Sequence, residues 1–208
     1  MDTQKRFSLA RLTILLRKLE QHHKFRLWCE SGLFELLLHL VNTDAQSTTL
    51  LEIDSTFCKV HQSACSARKN QAIGVSRGGK NTKIHVLINE RMQVLNVILT
   101  GGEIHDSEPA IDLFAEIELN GKKVLADKAY SCDKIRDYLE EHGAQICIPD
   151  KANFKVKHAF DANLYKQRNL VERFFQRIKN FRHVAFRFDK LAVCFLNFVL
   201  LASVVIHF

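Results

Sequence analysis

The chain has 208 residues, of which 47% are apolar and 25% are charged. These values are typical of a soluble globular protein with a real hydrophobic core, and they argue against a disordered or fibrous chain. The six cysteines are scattered and none forms a C-x-x-C pair, so the sequence predicts reduced thiols and not a disulfide or zinc framework. The formal net charge of +7 favours a polyanionic partner.

The charge is unevenly distributed along the chain. Residues 59–91 contain seven Lys or Arg and one acid, and residues 151–190 contain eleven and three. Between them, residues 103–141 contain five basic residues and eleven acids. Two basic segments around an acidic one favour nucleic acid as the partner, and the alternative is a solvated basic surface.

The N-terminal part of the chain is predicted to be helical. Leucines recur at helical spacing between residues 3 and 41, with Gly32 as a weak point or a break. The polar run "NTDAQSTT" then ends a helical N-terminal segment assigned to residues 1–48. The first residues contain no uninterrupted apolar run before a small-residue cleavage site, so no signal peptide is expected.

Residues 49–208 alternate short apolar strands with helices and are predicted to form one α/β domain. About five strands are expected, in "LLEIDSTFCKV", "TKIHVLINERMQVLNVILTGG" (two strands joined at Asn89–Arg91), "KKVLAD" and "AQICIP". The helix in "HDSEPAIDLFAEI" is expected to be capped by Asp106 or Ser107. The helix in "SCDKIRDYLEEHG" is expected to be capped by Ser131 and ended by Gly143. "ANFKVKH" is predicted to be a basic loop, and "LYKQRNLVERFFQRIKNF" a helix.

The C-terminal run, residues 191–208, carries no formal charge and approaches the length of a membrane-spanning helix. Asn197 lies in its middle, and no basic cluster flanks the chain terminus beyond it. A helix that is apolar all round can also be a buried core helix. The sequence therefore favours burial, and no membrane partner is expected.

Two acids stand where apolar strand sequences end. Asp54 follows "LLEI" and Asp127 follows "KKVLA". A carboxylate at the mouth of a buried strand costs desolvation unless a positive group meets it. Two such acids on neighbouring strands, joined by a third from a helix, form an oxygen-rich site suited to Mg²⁺ or Mn²⁺ and to two-metal phosphoryl chemistry.

The helix "LYKQRNLVERFFQRIKNF" offers the third acid. On a helical wheel, Tyr165, Arg168, Glu172 and Lys179 form one polar stripe apart from the apolar face. The alternative is an exposed face with a weak Arg168–Glu172 pair, in the less favoured order of base before acid. Geometry alone leaves both interpretations open.

The spacing Y-x-x-R-x-x-x-E-x-x-x-x-x-x-K of this stripe resembles the signature of DDE transposases of bacterial insertion sequences, in the group of insertion sequence five and its relatives. The resemblance extends from about Lys24 to the C-terminus, in family order. It is carried by "IDSTFCKVHQ", "AIGVSRGGKNTKIHVLIN", "LTGGEIHDSEPA", "VLADKAYSCDKIR" and "LVERFFQRIKNFRHVAFRFDKLAVCFLNFVLLA". Five ordered segments are more specific than one helical motif.

The resemblance implies a ribonuclease-H-like mixed sheet flanked by helices, with the catalytic domain in residues 49–208. It implies a catalytic triad that holds two Mg²⁺ ions, for which Mn²⁺ can substitute. It also implies cleavage at the transposon ends, followed by strand transfer into target DNA. The triad is Asp54, Asp127 and Glu172. The residues that would hold the DNA end are Tyr165, Arg168 and Lys179.

The partners implied are terminal inverted repeats and target DNA, with a homodimer acting on paired ends in the bacterial cytoplasm, at the nucleoid. The family also carries an H-D pair at His105 and Asp106, which allows a supporting role in the site. Family members usually carry more sequence before "HKFRLWCESGLFELL", so a truncated copy or one half of a frameshifted element is an open alternative. Two other functions are open: a non-catalytic DNA-binding remnant, and another nuclease of the same fold that cuts without joining strands.

Overall fold

The computed structural model of the protein describes residues 20–42, 47–66, 70–151, 158 and 161–207. The predicted helix between residues 3 and 19 lies outside the described residues, as does most of the loop "ANFKVKH". All six cysteines are free thiols, as predicted.

The described residues form seven strands of one mixed sheet. The strands are β1 (Leu50–Val60), β2 (Gly74–Ser76), β3 (Gly79–Asn89), β4 (Val94–Gly101), β5 (Lys123–Ala126), β6 (Gln145–Cys147) and β7 (Phe186–Arg187). β4, β3 and β1 are successive antiparallel neighbours, and β5 and β6 continue the sheet in parallel from β1. This order is the ribonuclease-H-like arrangement that was expected. β2 pairs with the start of β3, and β7 with the end of β1.

Helices cover both faces of this sheet. The described helices are α1 (residues 20–30), α2 (Leu33–Val41), α3 (Ala110–Phe114), α4 (Asp133–Glu141), α5 (Ala162–Tyr165), α6 (Asn169–Ile178), α7 (Arg182–Ala185) and α8 (Ala192–Val205). α3 and α4 pack on the face of β1 that carries Leu51 and Ile53. α6 and α8 pack on the opposite face, against Ile84 and Val86 of β3. Because both faces are covered, β3 is buried from Asn81 onward and does not show the alternation of a half-exposed strand.

The N-terminal helices pack against the C-terminal one. α1 and α2 meet at Gly32, whose left-handed backbone (φ 73°) ends the first helix, so the predicted break is confirmed. Phe34 of α2 and Cys194 of α8 share one apolar cluster. The division of the chain at residue 48 stays a prediction.

α8 is a core helix, as the sequence favoured. Most of its residues are buried, and Asn197 in its middle is fully buried and donates from Nδ2 to the Val193 carbonyl (2.8 Å). Among the helices that the structure describes, none is both long enough and apolar enough to cross a membrane.

Two predicted helix caps are wrong. α3 begins only at Ala110, after an N-cap at Pro109, and receives no side-chain cap from Asp106 or Ser107. α4 has Cys132 as its N-cap residue, and Ser131 caps nothing there. In both cases a charged group engages the side chain that was expected to cap: Asp106 accepts from Lys83 of β3, and the Ser131 hydroxyl accepts from Arg136 of α4 itself (3.2 Å). Gly143 follows α4 with φ 71°, as expected of a residue that ends a helix.

Candidate active site

The parallel pairing of β1 and β5 brings the two strand acids together. Leu50 pairs with Lys123, and the register runs to Ile53 opposite Ala126. Asp54 and Asp127 are the next residues on the two strands, so they lie side by side on the same face of the sheet. One expectation is corrected here: β1 does not end at Asp54 but continues to Val60, because β3 keeps pairing with it.

Asp54 lies in a poorly solvated, negative environment. Its side chain is 21% exposed. Burial raises the pKa of Asp54 to about 6, although the Ser55 backbone N–H (2.8 Å) and the Arg168 guanidinium (3.2 Å) oppose the shift. The neighbouring Asp127 and Asp106 raise that pKa further. This corner of the sheet therefore favours a bound positive charge.

Asp127 lies at a sharp change in chain direction. It is the first residue after β5, and its carboxylate caps the 3₁₀ turn Lys128–Tyr130 by accepting the backbone N–H of Ala129. The cap holds one carboxylate oxygen, so the side chain has a defined orientation beside Asp54.

The helix that carries the third acid is interrupted. The sequence predicted a helix over residues 164–181, whereas the structure has α5, a 3₁₀ turn at Lys166–Arg168, and then α6. Glu172 lies in the first turn of α6, with its side chain 53% exposed. Arg168 donates from Nη2 to Glu172 Oε1 (2.6 Å) and from Nη1 to Asp54 Oδ2 (3.2 Å). The guanidinium thus bridges two of the three predicted acids.

The other two residues predicted to hold DNA also lie near β1. The ring centroid of Tyr165 is 5.8 Å from the Arg168 guanidinium carbon. Lys179 donates to Thr56 Oγ1 (2.6 Å) and to the Phe57 carbonyl (3.1 Å), and its partial burial lowers its pKa. All three predicted DNA-binding side chains therefore have contacts within the protein.

The predicted metal ligands are only partly assembled. No group of three or more His, Cys, Asp or Glu side chains within the described ranges is arranged to hold a metal ion. Asp54 and Asp127 offer adjacent carboxylate oxygens, which suit Mg²⁺ in donor chemistry. Arg168 pairs with both Glu172 and Asp54, so sharing of one ion by the three carboxylates requires that guanidinium to move away.

One buried acid was missed by the sequence interpretation. Glu52 is fully buried on β1, two residues before Asp54, and its Oε2 accepts the Val171 backbone N–H (3.0 Å). Burial raises the pKa of Glu52 to about 7. Its Oε1 has no hydrogen-bond partner among the described residues. The acid inside the otherwise apolar run "LLEI" was the signal that could have identified it.

The turn that carries Asp106 is tied to the other face of β1. Lys83, with a largely buried side chain, donates to Asp106 Oδ1 (2.8 Å), and Ser55 donates to the same atom (2.7 Å). Burial alone would raise the pKa of Asp106, but these two hydrogen bonds hold it below the usual value. Asp106 therefore supports the segment next to Asp54 and does not cap α3.

The fold and these acids place the chain in the class of ribonuclease-H-like nucleic-acid-processing domains. The sequence model of the family described as "Transposase DDE domain" matches residues 45–206, so the chain belongs to that transposase family. A Brucella ovis protein, a proposed transposase for insertion sequence element IS6501, is 31% identical over 129 residues, which span 60% of this chain and 96% of that protein. The resemblance to DDE transposases of insertion sequences is confirmed.

Solved transposase complexes are more distant. The piggyBac transposase synaptic complex with hairpin DNA is 12% identical with a TM-score of 0.37, over 51% of this chain and 24% of that one. A pre-cleavage Mos1 transpososome is 13% identical with a TM-score of 0.34, over 84% of this chain and 60% of that one. The strand order described above, and not these likenesses, defines the fold.

Proposed function

We propose that this protein catalyses metal-dependent cleavage of DNA at the ends of an insertion sequence and transfers the freed 3′-hydroxyl end into target DNA. The observation that carries the proposal is the adjacent placement of Asp54 and Asp127, where poor solvation raises the pKa of Asp54. Family membership supports the same reaction.

In this proposal Asp54, Asp127 and Glu172 hold two Mg²⁺ ions, or Mn²⁺ in their place. Bound there, such ions would supply activation of the attacking oxygen and stabilisation of the leaving oxygen of a phosphodiester. The protein's own contribution is to align the carboxylates. Asp127 is oriented by the turn that it caps, and Glu172 by the start of α6.

Arg168 has two roles in the proposal. Without metal, its guanidinium neutralises Asp54 and Glu172. Once these carboxylates hold cations, the guanidinium is free to donate to a DNA phosphate beside the ions, together with Tyr165 and Lys179. In this proposal the Arg168 side chain therefore couples metal binding to binding of the DNA end.

The proposed partners are terminal inverted repeats and target DNA, and the proposed assembly is a homodimer that holds two ends. The proposed location is the bacterial cytoplasm, at the nucleoid. Exposed basic residues on α6, Arg173 and Arg177, add positive charge beside Glu172 and support a polyanionic partner.

The decisive experiment is Glu172→Gln in an end-cleavage assay. The substrate is a duplex that carries the inverted repeat flanking the gene, with Mg²⁺ or Mn²⁺. We expect cleavage to fall by about 10³-fold or more, because a metal ligand is lost, while DNA binding in EDTA changes little. The matched control is Glu141→Gln, an exposed acid of α4 on the far side of the sheet, which should cleave normally.

Two results would contradict the proposal. Unchanged cleavage by the Glu172→Gln variant would show that Glu172 is not a catalytic metal ligand. DNA binding by the wild-type protein without any metal-dependent cleavage would favour a non-catalytic DNA-binding remnant. Cleavage of duplexes that lack the inverted repeat, without strand joining, would favour another nuclease of this fold.

A further inference from the structure

We propose that Glu52 is a positioning residue for Glu172: its carboxylate holds the first turn of α6 at a set distance from the strand that carries Asp54. The inference rests on the proposed function, since it matters only if Glu172 and Asp54 work together. Glu52 touches neither DNA nor the reacting atoms in this account. It acts through the backbone of Val171.

The contact is buried and specific. Glu52 is fully buried, and its Oε2 accepts the Val171 N–H at 3.0 Å, across 119 residues of sequence. A carboxylate in such surroundings is costly unless it performs a task that an apolar side chain cannot. Leu50, two residues earlier on the same face of β1, is apolar and also buried, so this face of the strand does not require a polar group.

The start of α6 explains why Val171 needs an acceptor. The first N–H groups of a helix have no carbonyl one turn earlier to receive them, and a side chain at the N-cap normally takes one. The N-cap residue of α6 is Arg168, which accepts no hydrogen bond, and Val171 is the third residue of the helix. Glu52 therefore does from a neighbouring strand what Ser or Asp usually does within the helix.

The geometry links the two candidate acids. Val171 directly precedes Glu172, and Glu52 lies two residues before Asp54, on the same face of β1. One hydrogen bond, from the α6 backbone to the Glu52 side chain, ties the start of the helix to the strand at the site. At the same place the Arg168–Asp54 pair is a side-chain contact that metal binding at Asp54 would break, and Lys179 ties the far end of α6 to β1.

Two substitutions at Glu52 separate positioning from charge. Glu52→Gln keeps an oxygen that can accept the Val171 N–H, whereas Glu52→Leu fills similar space without an acceptor. In single-turnover cleavage at saturating DNA, we expect Glu52→Leu to slow the reaction about 10- to 100-fold, since misplacement of about 1 Å costs that much. We expect Glu52→Gln to cleave within about threefold of the wild-type rate, and we expect the DNA affinity of both variants in EDTA to be unchanged.

The control for lost stability is Leu139→Ala, which shortens a fully buried side chain of α4, on the opposite face of the sheet from the Glu52–Val171 contact. If Leu139→Ala matches Glu52→Leu in thermal midpoint and also in slowed cleavage, the effect is one of stability and the proposal is overturned. Cleavage at the wild-type rate by Glu52→Leu also overturns the proposal. If Glu52→Gln is as inactive as Glu172→Gln, the proposal is overturned and Glu52 is instead a direct metal ligand.

If Glu52→Leu does not fold, amide hydrogen exchange in the Glu52→Met and Glu52→Gln variants still tests the proposal. In the wild-type protein the Val171 amide should exchange at least about tenfold more slowly than in Glu52→Met. In Glu52→Gln the Val171 amide should exchange as slowly as in the wild-type protein. Equal exchange in all three overturns the proposal. This readout needs no DNA cleavage, so it separates failure of the positioning role from failure of the proposed function, which Glu172→Gln tests.

Discussion

Replacing Asp54 by Asn should make the metal-free protein more stable at neutral pH. The folded protein raises the pKa of Asp54 from its usual 3.8 to about 6. Between these values the folded state binds more protons than the unfolded state, so stability falls as pH rises through this window. Asn resembles the protonated acid and avoids that loss, and its oxygen can still accept the Ser55 N–H.

The size of the effect follows from the shift. About two pKa units correspond to about 3 kcal/mol of unfolding free energy that the wild-type protein loses between about pH 4 and pH 7. The shift already includes the opposing attraction of Arg168. The predicted difference in unfolding free energy therefore includes the loss of that ion pair in the variant. For a chain of this length, about 3 kcal/mol moves the midpoint of thermal unfolding by about 6–12 °C.

The assay is thermal and urea unfolding of both proteins in EDTA at pH 4, 5, 6, 7 and 8. The two curves should lie close together at pH 4 and separate as pH rises, with the variant more stable at pH 8. Glu52, whose pKa is also raised, gives both proteins a common decline that largely cancels in the difference. Adding Mn²⁺ should stabilise the wild-type protein and leave the variant almost unchanged, because binding to the folded state adds stability by mass action.

The reasoning is refuted if Asp54→Asn is destabilised by the same amount at pH 5 and pH 8 in EDTA. Such a result would mean that the Asp54 carboxylate is favourably paired in the fold and that its corner of the sheet has no unbalanced negative charge. Equal stabilisation of both proteins by Mn²⁺ would separately exclude Asp54 as a metal ligand.

Two further substitutions test contacts that the structure revealed. Lys179→Met removes the donor to Thr56 and should lower the free energy of unfolding by about 1–2 kcal/mol, whereas the exposed Arg177→Met should change it by less than about 0.5 kcal/mol. Urea unfolding measures both, and equal effects would contradict the buried contact. Arg187→Met removes a fully buried guanidinium that donates to Thr82 Oγ1 (2.7 Å), and calorimetry should show a loss of about 3 kcal/mol or more. A loss below about 1 kcal/mol would show that these buried acceptors do not need the guanidinium.

Local sequence patterns predicted much of the fold. β1 has the bounds of the apolar run "LLEIDSTFCKV", and the β3–β4 hairpin turns at the residues expected from their polarity. Gly32 and Gly143 end helices because left-handed backbone favours glycine. These features depend on near neighbours in the chain, so periodicity and turn residues were sufficient to place them.

Helix caps and the interruption before α6 could not be predicted in the same way. Asp106 and Ser131 have the right residue types and positions for capping, but charged side chains engage them, Lys83 from β3 and Arg136 from α4 itself. The 3₁₀ turn at Lys166–Arg168 breaks a helix whose wheel pattern appeared continuous. Propensity is a weak preference, and tertiary contacts override it.

By itself, the sequence determined which family this protein belongs to and which acids to consider, because ordered motifs and carboxylates that follow short apolar runs are local features. The tertiary structure alone decided how those groups are paired. Arg168 meets Asp54 across 114 residues, and Glu52 meets the backbone before Glu172 across 119. No pattern of period 2 or 3.6 encodes such contacts, since they depend on which helix packs on which face of the sheet.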